Sequence, residues 1–118
     1  MYEDFSTTER WTGAPVRCVY QCMVVAIATR HADAVDVKFL VNGRGVWIAL
    51  ALPAWAEHKQ QTGNIITDPM AVEMAGHYLR SILENGDECG RDLYTLSVAE
   101  TLQHLDAVLK QQTLAPAS

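Results

Sequence analysis

Two runs of alternating apolar and polar residues form the clearest pattern in this chain. From Val35 to Val41 every second residue is apolar and points to one face, and Val46 to Leu52 repeats the pattern. This period of two is typical of half-buried β-strands. Asn42-Gly43 lies between the runs, and this dipeptide readily adopts the positive φ angles of a type I′ turn. The segment is therefore predicted to be a β-hairpin.

The register of this hairpin has two alternatives. A two-residue loop at Asn42-Gly43 would pair Phe39 with Val46, whereas a loop centred on Gly43-Arg44 would pair Phe39 with Ile48. Both keep the apolar faces together. A one-residue slip would turn every side chain over, so a three-residue loop would need a bulge.

The segment from Val16 to Thr29 predicts a strand that precedes the hairpin. It is rich in β-branched residues, and its even positions are all apolar. A short turn through His31 and Ala32 would place Ala26 opposite Val37 and give an antiparallel meander. At about 3.3 Å per residue this strand would be unusually long, so we expect a bend or bulge near Gln21.

After the hairpin the apolar spacing becomes helical. Pro53 to Gln61, followed by Gly63, predicts a short helix with proline in its first turn. Asp68 as N-cap and Pro69 as first helical residue begin a longer amphipathic helix that ends at Asn85-Gly86.

A second amphipathic helix is predicted near the end of the chain. Ser97 to Glu100 has the capping-box form, and apolar residues then recur at helical spacing to about Gln112. Leu93 to Leu96 predicts a short strand. The fold class is therefore α+β, an antiparallel meander of three or four strands packed with two main helices. Four residues on the apolar sides of these elements are expected in the core: Phe39, Ile48, Leu79 and Leu105.

Length and charge limit the broad class of the protein. A chain of 118 residues with 49% hydrophobic content suits one core, so we predict an irregular segment at 1–15, one domain at 16–113 and a flexible tail at 114–118. The sequence predicts neither a membrane-spanning helix nor a signal peptide, and we expect a cytoplasmic protein. The net charge of -5 argues against broad nucleic-acid binding.

The cysteines predict no metal or disulfide site. The chain has three cysteines, an odd number, without zinc-finger spacing. On one strand Cys18 and Cys22 would lie about 13 Å apart, beyond disulfide reach. We interpret both as small core residues. Cys89 has acidic neighbours, which oppose thiolate formation.

The histidines do not show metal-ligand spacing either: they are His31, His58, His77 and His104. Glu73 precedes His77 by one helical turn, as Glu100 precedes His104. Each pair is either a carboxylate-oriented base or a solvated surface pair, and we favour the latter. No phosphate-binding loop or nucleophile motif is present, so we predict no catalytic, cofactor or metal residue.

The second face of the predicted sheet is also largely apolar. Its residues are Val19, Met23, Val25, Ile27, Leu40, Trp47, Ala49 and Ala51. A helix of the same chain could cover this face; otherwise it needs a partner, for which a second copy is favoured. The candidate interface residues are Met23, Val25, Leu40 and Trp47. Because the strand at 16–29 is apolar on both faces, its edge should be paired, either by Leu93 to Leu96 or by a second subunit.

These patterns favour a non-catalytic, homodimeric protein-interaction module, with an unidentified protein partner as a further option. The alternative is a small-molecule-binding protein or small enzyme with a pocket between helix 69–85 and the sheet, where His77 or Tyr78 would supply a polar group. The meander followed by a helix at Thr67-Asp68-Pro69 resembles HicB-like antitoxin domains over about half the chain. This resemblance implies an antitoxin-like regulatory protein, although only one helix follows Asp92 where a DNA-binding module would be expected.

Overall fold

The computed structural model describes residues 2–26, 34–87 and 90–114, and these form one five-stranded sheet and three helices. The elements in chain order are β1 (Asp4–Thr8), β2 (Pro15–Ala26), β3 (Ala34–Val41), β4 (Arg44–Ala51), α1 (Pro53–Thr62), α2 (Asp68–Asn85), β5 (Leu93–Thr95) and α3 (Val98–Leu114). The strands lie side by side in chain order. β1 to β4 are antiparallel and β5 joins β4 in parallel, which confirms the predicted α+β class.

The β3–β4 hairpin has the register of the two-residue loop. Phe39 lies opposite Val46, and the turn residues Asn42 and Gly43 have φ angles of 49° and 85°. Positive φ at both positions is the requirement of a type I′ turn, which asparagine and glycine meet at little steric cost. The alternative loop centred on Gly43-Arg44 is wrong.

β2 contains the bulge predicted near Gln21, but the prediction did not include its effect on which side chains face the core. The register shifts between Tyr20 and Cys22, so that Met23 lies opposite Val37 and Val25 opposite Val35. Directly opposed residues share a face, and the extra residue therefore moves Met23 and Val25 to the helix-covered side. Their predicted place on the second face, and the predicted pairing of Ala26 with Val37, are wrong.

The N-terminal segment, predicted to be irregular, contains β1. This strand pairs with the first half of β2, from Asp4 opposite Val19 to Thr8 opposite Pro15. The last bond of the pairing joins the Tyr20 amide to the Glu3 carbonyl at 2.7 Å. β5 lies at the opposite edge of the sheet, on β4. A strand of the same chain therefore covers β2, but it is β1, and it covers only the part before the bulge.

The hydrophobic core lies between the helices and one face of the sheet. The four core residues expected from the sequence are all at most 2% exposed: Phe39, Ile48, Leu79 and Leu105. Tyr2 is also buried, and it packs so closely on α2 that a Cβ atom at Gly76 would lie 2.3 Å from the Tyr2 Cβ. Gly76 therefore allows the N-terminal segment to dock on the helix.

α2 and α3 both begin with capping contacts, but the residue that caps α2 differs from the prediction. α2 is capped by Thr67 rather than Asp68, since the Thr67 hydroxyl accepts from the Met70 amide. Before α3 the Glu100 amide donates to Ser97 Oγ, and the Ser97 amide donates to Glu100 Oε1, both at 3.1 Å, as the capping box predicted. The predicted strand residues 27–29, the turn at 31–32, Cys89 and residues 115–118 lie outside the described residues.

Within the described chain, every helix is too short or too polar to cross a membrane.

Candidate functional site

Two histidines from different helices meet where α2 packs on α3. His77 Nδ1 and His104 Nδ1 are 2.7 Å apart, and the two ring centroids are separated by 5.0 Å. The Tyr78 ring lies edge-on to His104 at a centroid distance of 5.3 Å. All three side chains are half-buried. The helix interface therefore brings together two imidazoles that are 27 residues apart in the sequence.

The glutamates one turn before each histidine do not hydrogen-bond to the rings. Glu73 Oε2 accepts from the Tyr2 amide at 2.7 Å, and Glu100 Oε1 accepts from the Ser97 amide. Each carboxylate thus binds a backbone amide near the end of a segment. The sequence spacing suggested either a carboxylate-oriented base or a solvated surface pair for Glu73–His77 and Glu100–His104. Neither describes the arrangement, because the two histidines contact each other.

The hydrogen bond between the rings defines their protonation. One Nδ1 must carry the proton and the other must accept it, so a neutral pair holds its second proton on an Nε2 atom. Burial lowers the pKa of both His77 and His104 from the ordinary value of 6.5. The Arg80 charge lowers the pKa of His77 further, and the neighbouring imidazole lowers that of His104. The pair is therefore neutral at pH 7.

Several neighbouring side chains pack or hydrogen-bond around His77. Ser81 Oγ donates to the His77 carbonyl at 2.9 Å, and the Tyr2 ring lies edge-on to His77 at 5.9 Å. Arg80 Nη1 lies 3.4 Å from the Tyr2 hydroxyl, and its Nε donates to Glu84 Oε2 at 2.7 Å. Glu84 also accepts from Thr7 of β1. The N-terminal segment is therefore part of the framework around the histidines.

A cleft of about 340 Å³ opens beside the two rings, between α2 and α3. Its lining residues are His77, Tyr78, Ser81, Ile82, Asn85, Asp87, Gln103, His104 and Ala107. The alternative function predicted from the sequence, a small-molecule-binding protein or small enzyme, placed His77 and Tyr78 at a pocket between α2 and the sheet. This cleft instead lies on the side of α2 that faces α3. Its hydroxyl, amide and imidazole groups offer both hydrogen-bond donors and acceptors.

A smaller cleft of about 180 Å³ lies between α1 and α3 and contains His58. The His58 ring is within 3.4 Å of Thr62 Oγ1 on the same helix, and the Thr62 hydroxyl also donates to the His58 carbonyl. Among the described residues, His58 is the one imidazole that lines this cleft. In the part of the chain that the structure describes, no three His, Cys, Asp or Glu side chains are grouped as a closed metal-ligand set.

The face of the sheet away from the core cluster forms a separate surface, which we name the open face. It carries Val19, Cys22, Val24, Ala34, Asp36, Lys38, Leu40, Trp47, Ala49 and Leu93. All of these except the small Ala49 remain partly or largely exposed. Of the predicted interface residues, Leu40 and Trp47 lie here, whereas Met23 and Val25 lie on the core side. Lys38 Nζ sits 5.6 Å from the centre of the Trp47 ring.

Cys18 is inaccessible to chemistry in the folded state. Its side chain is fully buried, and burial raises the pKa of its thiol to about 12. A protonated, buried thiol is a poor nucleophile and a poor metal ligand. The residue fits its predicted interpretation as a small core side chain.

The sequence singled out His77 and Tyr78 but not the partner that completes the site. The sequence pattern pairs His104 with Glu100 rather than with His77, and nothing in it indicates Asn85 or Gln103 as site residues. The periodicity of α3 shows which side of the helix is apolar, yet contact between two half-polar sides depends on how the helices cross. No protein-family model, curated protein or solved structure matches this chain.

Proposed function

We propose that this protein is a non-catalytic interaction module that assembles as a homodimer through the outer edge of β2. The observation that supports the proposal is the half-covered edge of this strand. β1 pairs with residues 15–19, and within the described residues no strand pairs with the outer edge of residues 21–26. Unpaired strand edges bind other strands readily, and soluble proteins normally protect them.

The edge segment at 21–26 lacks the usual protection. It contains no proline and no charged residue. Val24 on the open face and Val25 on the core side are 49% and 58% exposed, so apolar side chains border the edge above and below. The opposite edge differs, because β5 has only three residues. Short edge strands are one of the means by which proteins avoid edge pairing.

A second copy of the same segment suits this edge. An antiparallel pair of identical strands is related by a two-fold axis, so each hydrogen bond and each side-chain contact occurs twice. Backbone bonds would supply affinity, and the valines on both sides would be removed from water. Leu40 and Trp47 lie further from this edge and would be buried only if two open faces packed together.

Light scattering after size exclusion tests this proposal on the untagged chain. At tens of micromolar we expect a mass twice that of the 13.1 kDa chain. Val24→Lys should give monomers, because two lysines would be brought together beside the two-fold axis. The matched control is Leu93→Lys, which lies on the same face at the opposite edge and has nearly the same exposure, 51% against 49%. It should remain dimeric.

Three results would contradict the edge-paired dimer. These are a monomeric wild type, a dimeric Val24→Lys variant, and a Leu93→Lys variant that dissociates as completely as Val24→Lys. The last result would indicate packing between open faces instead. Circular dichroism and thermal unfolding of each variant establish that the substituted chains are folded.

A further inference from the structure

The His77–His104 pair brings two ring nitrogens from different helices close enough to bind one metal ion. Nitrogen ligands bound at about 2.0 Å to a tetragonal metal, at right angles to each other, lie about 2.8 Å apart, whereas tetrahedral ligands lie about 3.3 Å apart. The observed separation between the two Nδ1 atoms is 2.7 Å. This separation lies within the ordinary range of a hydrogen bond, and it is also close to the spacing of two adjacent positions in a tetragonal site.

We propose that His77 and His104 bind a first-row divalent metal ion that favours tetragonal coordination, Cu²⁺ or Ni²⁺, through their Nδ1 atoms. Imidazole nitrogen suits both ions. This site is independent of the β2 edge and of the homodimer. Binding replaces the shared proton of the hydrogen bond, which moves from one Nδ1 to Nε2 of the same ring. Because both rings are then neutral ligands, no net proton is released at neutral pH.

The remaining coordination positions would be open towards the cleft. Glu73 and Glu100 bind backbone amides, and the described residues offer no third His, Cys, Asp or Glu within a ligand group. Water or a small anionic ligand would therefore complete the shell. The cleft of about 340 Å³ has room for several waters at about 30 Å³ each. Ser81, Asn85 and Gln103 line it and can hydrogen-bond to metal-bound water.

The supports around the pair favour a preorganised site. His77 is fixed to α2 and His104 to α3. The Tyr2 ring packs edge-on against His77, and the Tyr78 ring packs edge-on against His104. Rigid elements and packed neighbours reduce the cost of placing two ligands at a fixed separation. His58 is the matched contrast, since it lies in the cleft between α1 and α3, where the described lining residues include no second imidazole.

Calorimetry and electron paramagnetic resonance with Cu²⁺ test the site on the untagged full chain. We expect one Cu²⁺ per chain and an axial spectrum with coupling to two ring nitrogens. His77→Gln and His104→Gln should each weaken binding by at least about tenfold and remove coupling to one nitrogen. His58→Gln should leave the affinity and the spectrum unchanged.

Several outcomes would overturn the proposal. One is the absence of binding; others are binding that both glutamine variants retain, and a spectrum without two nitrogen ligands. If either variant fails to fold, NMR of the wild type decides the question. Substoichiometric Cu²⁺ should broaden the ring signals of His77 and His104 before those of the other histidines, and uniform or unrelated broadening would reject the site.

Discussion

The two faces of the sheet come from the same strands and the same alternating pattern, yet they differ sharply in burial. On β3 the core-side residues Val37 and Phe39 are 0% exposed, whereas Asp36, Lys38 and Leu40 are half-buried. The alternation explains why the side chains separate into two sets. It does not explain which set the helices cover, because Leu40 is as apolar as its neighbours.

The composition of the facing strand decides the difference. β4 contributes Val46, Ile48 and Leu50 to the core side, all at most 1% exposed. On the open face it contributes Trp47, which is half-buried and whose ring centre lies 5.6 Å from Lys38 Nζ. A face with several adjacent branched residues gives the helices a larger continuous apolar area.

The largest effect that separates the faces should come from truncating one residue on each. Phe39→Ala should lower the free energy of unfolding by about 3 to 5 kcal/mol, through lost apolar transfer energy and the cavity that remains. Leu40→Ala should cost clearly less, because that side chain already contacts solvent. Urea unfolding of both variants measures the difference, and a loss below about 1 kcal/mol for Phe39→Ala would mean that the core side is assigned wrongly.

Glycines on the two sides should respond differently to an added methyl group. Gly76→Ala places a Cβ atom 2.3 Å from the Tyr2 Cβ, and we expect a loss of about 1 to 3 kcal/mol as Tyr2 is displaced from α2. At Gly45 the nearest atom is the flexible end of Lys38, at 2.8 Å, so Gly45→Ala should cost much less. Thermal unfolding of the pair tests this, and equal stability of Gly76→Ala and the wild type would refute tight docking of the N-terminal segment.

The capping box of α3 should have a smaller effect, because it satisfies backbone groups at one helix end. Ser97→Ala should reduce stability by about 1 kcal/mol. Ser6→Ala is the control, an exposed serine on β1 whose loss should change stability by less than about 0.5 kcal/mol. Indistinguishable denaturation midpoints for the two variants would argue against the cap.

The smallest effects should be pH-dependent, since solvent screens groups that are only half-buried. Burial lowers the pKa of His77 and His104. Their contribution to the free energy of unfolding is therefore complete above pH 6.5 and is lost as the pH falls through their folded-state pKa values. Burial instead raises the pKa of Asp36 on the open face. Its contribution is complete below pH 3.8 and is lost as the pH rises through its folded-state pKa.

Unfolding free energies measured from pH 3 to pH 8 distinguish these two groups. His104→Gln should flatten the profile just below pH 6.5, and Asp36→Asn should flatten it just above pH 3.8. If His104→Gln changed only the acidic window, or Asp36→Asn only the near-neutral one, the assignment of the two windows would be wrong.

Much of the secondary structure could be predicted from the sequence alone, because it depends on interactions between residues close together in the chain. The Asn42-Gly43 turn fixes the hairpin register through backbone angles of two residues, and Ser97 with Glu100 defines the start of α3 through bonds within one turn. These features depend on neighbours within a few positions, so the sequence contains the information directly.

Only the tertiary structure decided the features that join distant segments. β1 was not apparent because its short, polar sequence becomes a strand only when it pairs with β2. The bulge at Tyr20 and Cys22 was expected, but its exact position determines on which face Met23 lies. His77 and His104 each lie on a helix side that reads as solvent-exposed, and they meet because α2 and α3 pack against the same sheet. Such contacts follow from the crossing of whole elements, which no local pattern encodes.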